Sequence, residues 1–499
     1  MIDARGPGRV PPQPSHRVAA LDGARAGRGL NLDGGGEHGT VALRDGRAAA
    51  GAPSSERVRE GRMQQVSRDD DPEETSAVVG PSKPRLLRVL GPGLITGASD
   101  DDPSGIATYA QAGAAYGYGF GWTLLYSYPL MAAVQMISAR IGRTTGHGIA
   151  GVLQRHAPAG LLRVTVTLLV IANTVNLGAD LGAMADAATL LLPGAPRWLL
   201  VLLFAGICVV LQMLLAYSRY VAVLKWLTLA LFAYFAALAT TRVDWRAFAL
   251  GTLLPRIGLD REALTTVVAI FGTTISPYLF FWQSSQEAED LHVHPRRREL
   301  IHAPEQGRTA LHRIEVDTLA GMAVSNLVAL AILGTAAAAL HAHGTVDIRT
   351  SAEAAAALRP IAGPFAETVF ALGVVGVGLL AVPVLAGSSA YAVGEAWRWP
   401  VGYARRVQEA KAFYGVVGLA TLVGMLISLT PSLDPVRALF WSAVLNGVVA
   451  VPVMAVMMWV AARPEVMGRF AVTGWLKGLG WLATAVMAVA VVGMVATSL

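Results

Sequence analysis

The chain has 499 residues, 54% of them hydrophobic and only 15% charged, with a mean hydropathy of +0.49 and a formal charge of +6. Soluble domains carry about 25% charged residues and need them at the surface, so this balance excludes a disordered protein and argues against a soluble enzyme. A single cysteine, Cys208, excludes a disulfide framework or a cysteine metal cluster, and the positive excess is arginine, 36 against 4 lysines, which in a membrane chain marks cytoplasmic loops rather than nucleic-acid binding.

Residues 1–86 stand apart from the rest. No aromatic residue precedes Tyr109, and residues 1–62 hold 12 Gly, 10 Arg and 7 acids. Such a segment cannot bury enough apolar surface to offset its ordering entropy. No apolar core follows its basic residues, as a signal peptide requires. Two readings stand side by side: a disordered cytoplasmic tail over 1–86, or translation from Met63 with residues 1–62 as a mis-called upstream extension.

Residues 87–498 form the membrane-spanning domain of this reading. They contain eleven apolar stretches of spanning length, near 87–116, 119–141, 161–191, 197–216, 219–241, 262–290, 314–340, 364–396, 412–430, 436–461 and 474–498. Arginines gather in the connections from even to odd stretches: Arg140, Arg143 and Arg155; Arg296, Arg297 and Arg298; Arg398, Arg405 and Arg406. The positive-inside rule then places the N-terminus in the cytoplasm and the C-terminus outside, across a bacterial inner membrane. Arg242, Arg246, Arg256 and Arg261 run against that trend.

Two stretches are too polar in the middle. The first carries Asp100, Asp101 and Asp102 at membrane depth, followed by Pro103, Ser104 and Gly105. One acid at a helix centre costs about 2.5–3.5 kcal/mol on insertion scales, so three need a reason. Pro103 lacks an N–H and disfavours helix at Asp102, which predicts two half-helices with an unwound joint. The sixth stretch is interrupted in the same way by Gly272, Thr273, Thr274, Ser276 and Pro277. Proline kinks alone account for Pro103 and Pro277, but not for the three acids. Broken helices at corresponding places in two halves point to a binding site at a repeat interface. Stretches 1–5 and 6–10 have an odd number each, so the two halves are inverted, and the eleventh is an addition. The fold class is therefore all-α polytopic, with a five-plus-five inverted repeat. Carboxylates and freed carbonyls are hard oxygen donors, suited to Mg²⁺, Ca²⁺ or Mn²⁺.

At these joints the sequence resembles the Nramp family of divalent-metal transporters. Gly91-Pro92-Gly93 is followed, eleven residues after Gly91, by Asp102-Pro103-Ser104-Gly105, where the family carries Asp-Pro-Gly-Asn. Ser276-Pro277-Tyr278 stands where the family carries Met-Pro-His, and Ser284-Ser285 follows at the family's spacing. The resemblance covers about residues 85–498 and implies the leucine-transporter fold, a divalent cation as substrate and no cofactor. It implies Asp102 as the main metal ligand, with carbonyls from near Ser99 and Thr273. Gly105 replaces the family asparagine and Ser276 the family methionine. Tyr278 and Gln283 replace two histidines associated with proton movement. A tyrosine with a pKa near ~10 does not do the work of a histidine near ~6.5, so obligatory proton coupling is in doubt. Some distant relatives that lack the methionine carry magnesium, so Mn²⁺, Mg²⁺ and Fe²⁺ all stay open as the ion.

Other polar residues in the stretches are weighed beside these. Asp180 is a proton or coupling candidate, against the alternative of a carboxylate bonded to a neighbour such as Asn176; Asp101 is a second. Asn446 and Gln283 are secondary site candidates, and Asn326 reads as interhelical glue. Asp186 reads as solvated, and Glu287, Glu289 and Asp290 as a solvated helix end. His292, His294 and His302 read as loop residues. No nucleic acid and no obligatory protein partner is expected beyond the lipid bilayer. A sodium-coupled amino-acid symporter of the same fold is the alternative; three aspartates would repel its carboxylate. A Mg²⁺-dependent membrane prenyltransferase is weaker still, since it needs two Asp-rich motifs and one is present.

Overall fold

In a bilayer each backbone amide must bond within its own segment, so long apolar runs become helices. The computed structural model describes residues 96–97, 100–214, 229–256, 258, 260–430 and 434–498, all within the unit Asp69–Leu499. The readings for residues 1–86, the start at Met63, Gly91-Pro92-Gly93, Ser99 and residues 219–228 of the fifth stretch lie outside the described residues. Fourteen helices of eight residues or more follow in order: α1 (Pro103–Tyr116), α2 (Gly121–Thr145), α3 (Ile149–His156), α4 (Ala159–Leu191), α5 (Arg197–Leu214), α6 (Ala233–Thr240), α7 (Trp245–Leu253), α8 (Arg261–Thr274), α9 (Pro277–Val293), α10 (Gly307–Ala339), α11 (Ala366–Ala396), α12 (Lys411–Ser428), α13 (Pro435–Ala461) and α14 (Gly474–Ala496).

Eight helical segments among the described residues are long and apolar enough to cross a membrane: α4, α5, α8 with α9, and α10 to α14. They coincide with eight of the eleven expected stretches. Of the other three, α2 has 25 residues, long enough to span. Helices α1 and α6 are the described parts of the first and fifth. Both expected breaks are present, at Asp102 before α1 and at Ile275–Ser276 between α8 and α9. Helices α3 and α7 occupy connections in which no helix is expected. α3 is amphipathic, burying Ile149, Val152 and Leu153 and exposing Arg155 and His156. α7 starts at Asp244, whose carboxylate accepts from Ala247 N at 3.0 Å.

The packing is reciprocal. The first helix lies on the seventh (α1 on α10), and the sixth lies on the second (α9 on α2). The third and eighth, α4 and α11, pack against each other along much of their length. The third also packs on the ninth (α4 on α12), and the eighth on the fourth (α11 on α5). Exchanging helices 1–5 for 6–10 maps each of these pairs onto another, or onto itself, as an inverted repeat demands. Small residues let backbones approach within the second half: a Cβ on Gly272 of α8 would stand 2.0 Å from Ala443 O of α13.

A candidate ion site at two broken helices

Asp102 is the residue that the broken first helix cannot take in. Its backbone is extended (φ −66°, ψ 171°), Pro103 occupies the first helical position, and its carboxylate caps α1. Oδ1 accepts from Gly105 N at 2.8 Å and Ser104 Oγ at 2.6 Å. Oδ2 accepts from Asn176 Nδ2 of α4 at 2.9 Å and Tyr278 Oη of α9 at 3.3 Å. The carboxylate is buried, at the positive end of the α1 dipole, and held by four uncharged donors.

The second joint faces the first. Helix α8 ends at Thr274, Ser276 is extended (φ −79°, ψ 131°), and Pro277 opens α9. Ser276 Oγ donates to the carbonyls of Gly272 and Thr273, both at 2.8 Å, so its proton is turned onto its own helix end. Gly105 meets Thr273 across the joint: a Cβ at Gly105 would lie 3.1 Å from Thr273 Oγ1 and 3.3 Å from the Tyr109 ring. A larger side chain at 105 would press on that ring, which accounts for glycine where the family carries asparagine. Asp102, Gly105, Thr273 and Tyr278 are thus brought together, with Ser276 at the same joint.

The remaining candidates lie around this centre. Asp101 and Asp100 turn the other way and share the hydroxyl of Ser325 on α10, Asp101 at 3.3 Å. Asp180 is fully buried on α4, one turn after Asn176, and neither of its oxygens makes a hydrogen bond of normal geometry. The alternative reading, an Asn176–Asp180 bond, is not formed; Asn176 bonds Asp102 instead and accepts from Ser442 Oγ of α13 at 2.7 Å. Asn446, one turn after Ser442, is buried with neither side-chain atom bonded. Gln283 accepts from Thr96, tying α9 to the segment before the first break. Asn326 bonds Leu124 O of α2 at 2.9 Å, as glue between helices.

Four residues read as peripheral are otherwise placed. Asp186 is half-buried and accepts from Ser351 Oγ at 2.6 Å. Glu287 and Asp290 are buried in ion pairs, Glu287 with Arg313 at 2.5 Å and Asp290 with Arg297. Glu289 accepts from Tyr391 Oη and from Tyr403 N. The start of α10 and the residues after α11 cover this end of α9, so its charges must be paired. His292 lies in the last turn of α9 rather than in a loop.

A cavity of about 940 Å³ opens at that end, lined by His147, Arg155, Ser285, Glu289, Glu395 and Arg405 among others. Burial, then the charges of Arg155 and His292, hold the His147 imidazole below the usual histidine range. Ser285 stands seven residues along α9 from Tyr278, roughly 10 Å at 1.5 Å per residue. A gap of about 20 Å³ lies beside Pro103, walled by apolar groups such as Ile106, Phe370 and Leu439. Among the described residues no three His, Cys, Asp or Glu side chains converge as a metal cluster. Any cation at Asp102 would therefore be held by fewer than three such side chains, completed by carbonyl, amide and hydroxyl oxygens.

Sequence reasoning missed Asn176, Ser104 and Ser325 as partners of Asp100 to Asp102, and Ser442 as the partner of Asn176. Asn176 alone left a trace, as an amide one turn from Asp180 in an apolar run.

A bundle of reciprocal halves, two broken helices facing each other and one acid at the joint define a membrane transporter that works by alternating access. The chain belongs to the natural resistance-associated macrophage protein-like (Nramp) family, whose model matches residues 93–497. It is 29% identical over 410 residues to the divalent metal cation transporter MntH of Acidiphilium cryptum, covering 78% of this chain and 85% of that one. It is 24% identical over 412 residues to MntH of Klebsiella pneumoniae subsp. pneumoniae, covering 80% and 92%. A crystal structure of the Eremococcus coleocola manganese transporter, with an aromatic bis-isothiourea compound, shares the fold at 16% identity and a TM-score of 0.66, covering 86% of this chain and 90% of that one. MhsT in complex with L-phenylalanine shares it more distantly, at 13% identity and a TM-score of 0.53, covering 82% and 98%.

Proposed function

We propose that this protein carries divalent cations of the Mn²⁺, Mg²⁺ or Fe²⁺ class across a bacterial inner membrane, with Asp102 as the principal ligand. The observation that carries this reading is a buried carboxylate at the meeting of two helix breaks, bonded only by uncharged donors. An arriving cation supplies the missing positive charge and displaces weak donors, such as Tyr278 at 3.3 Å. The carbonyl of Thr273 and the hydroxyl of Ser276 complete an oxygen set, with Ser99 as a further carbonyl and Gly105 leaving room for a retained water. Asp180, Tyr278 and Asp101 are the groups through which any coupled proton would pass; Asn446 and Gln283 are secondary contacts. Pro103 and Pro277 hold the two helices open.

In this reading residues 87–498 are the transport domain. The arginine-rich end with the 940 Å³ cavity is cytoplasmic, the N-terminus lies on that side and the C-terminus outside. The metal is cargo rather than cofactor. The MhsT likeness does not favour amino-acid transport here, because Asp100, Asp101 and Asp102 would repel a substrate carboxylate.

The test is uptake into liposomes with Mn²⁺, Mg²⁺ and Ca²⁺ beside an amino-acid panel. Asp102→Ala should abolish metal uptake in protein that still inserts. Uptake within about twofold of wild type would remove Asp102 from the site.

A further inference from the structure

A cavity of about 300 Å³ lies between α4, α12 and α13, and the transport reading leaves it without a role. Its wall is apolar, formed by residues such as Ile427, Trp441 and Leu445. One end is polar: Arg197, the first residue of α5, and Ser428, the last residue of α12. Both converge on Gly182 of α4. A Cβ there would lie 3.0 Å from Arg197 Nη2 and 3.0 Å from Ser428 Oγ. The two groups therefore reach toward one point above bare backbone, a cradle that any larger residue would fill.

Neither group is fully satisfied. Ser428 is 3% exposed, and its Oγ and Arg197 Nε are buried without a hydrogen-bond partner. No carboxylate pairs with Arg197 among the described residues. Helix α4 runs from the Arg155 end of the bundle to the opposite end, where α5 begins. The arginine bias of the other end therefore does not explain Arg197. A guanidinium without a carboxylate partner, its Nε unbonded, and an unbonded hydroxyl at the head of an apolar cavity call for an anion with a hydrocarbon tail. A guanidinium meets a phosphate with two parallel N–H donors, and the hydroxyl adds a third. A small soluble anion would leave the apolar wall wet. Trp441 is 56% exposed at the mouth, so the cavity opens sideways, toward the bilayer.

We propose that this cavity binds an anionic phospholipid, its phosphate on Arg197 and Ser428 above Gly182 and an acyl chain along Ile427, Trp441 and Leu445. Basic pockets between spanning helices are suited to such headgroups. Ser442 also lines the cavity, and its hydroxyl holds Asn176, which holds Asp102. A lipid in place thus bears on the residue two hydrogen bonds from the candidate ion site.

The test is native mass spectrometry of the purified full chain after delipidation, offered phosphatidylglycerol or phosphatidylcholine with identical acyl chains, or glycerol 3-phosphate. Wild type should retain phosphatidylglycerol about tenfold better than phosphatidylcholine, a difference on the order of 1.4 kcal/mol. Arg197→Gln should lose that preference, and Gly182→Ala should lower retention by filling the cradle. Ser428→Ala removes one donor and adds no bulk; a loss of about threefold keeps the test decisive where Arg197→Gln unfolds. Equal retention of the two lipids by wild type overturns the proposal, as does an undiminished preference in folded Arg197→Gln. Displacement of the lipid by glycerol 3-phosphate makes this a soluble-anion site and overturns the lipid as occupant.

Discussion

Ser276 shows how one side chain can set which ions a carboxylate will share. Its hydroxyl bonds the carbonyls of Gly272 and Thr273, so in the proposed site it would compete with an ion for the oxygens freed by the helix break. A thioether at that position has no proton to give, releases the Thr273 carbonyl and adds a soft donor. Ser276→Met should therefore raise Cd²⁺ inhibition of Mn²⁺ uptake by up to about tenfold, a change on the order of 1 kcal/mol. Coincident inhibition curves in proteins of equal activity would place Ser276 outside the ion's surroundings. Asp102, Pro103, Ser276 and Pro277 were legible in the sequence, because an acid or a proline inside an apolar run is a local anomaly. Asn176 and Ser442 were not: they are uncharged, look like ordinary helix glue, and lie 74 and 266 residues from the partners they bond. Glu287 was misjudged for the same reason, since its cation is Arg313, on the next helix.

At the scale of elements, the crossing of α8 and α13 decides how far the broken sixth helix can move. Gly272 and Gly447 bring the two backbones together, and a Cβ on Gly272 would also stand 2.5 Å from Gly447 N. Backbone cannot yield as a flexible side chain does, so Gly272→Ala must push the helices apart. The expected outcome is a lower thermal midpoint in detergent and loss of metal uptake. Gly206→Ala on α5, where an added Cβ meets nothing within 4 Å, should leave both unchanged. Equal behaviour of the two variants would show that the crossing is not tight in the working protein. The spanning helices were legible because hydrophobic runs of about 20 residues leave a bilayer no other structure. Helices α3 and α7 were not, since each is little more than two turns long; α3 has its apolar side covered by distant segments, while α7 leaves Trp245, Leu250 and Leu253 exposed.

At the scale of the whole molecule, the question is what drives the cycle. Tyr278 and Gln283 stand where the family's histidines would titrate, and both are buried and hydrogen-bonded, to Asp102 and by Thr96. Metal uptake into liposomes should then be nearly independent of an imposed pH gradient. Acidification of the lumen in step with metal entry would overturn this and make Asp180, buried without a hydrogen-bond partner, the leading proton carrier. The reciprocal packing of the halves, first on seventh and sixth on second, has a consequence of its own. Because each pairing has its counterpart, the opposite-facing state can be reached by exchanging contacts between the halves rather than by building a new fold, and an ion that binds one state better shifts the balance toward it. In such an exchange the seam walled by Ile106, Phe370 and Leu439 is the place for the second mouth, and the wide cavity at the end of α9 is the one that would shut.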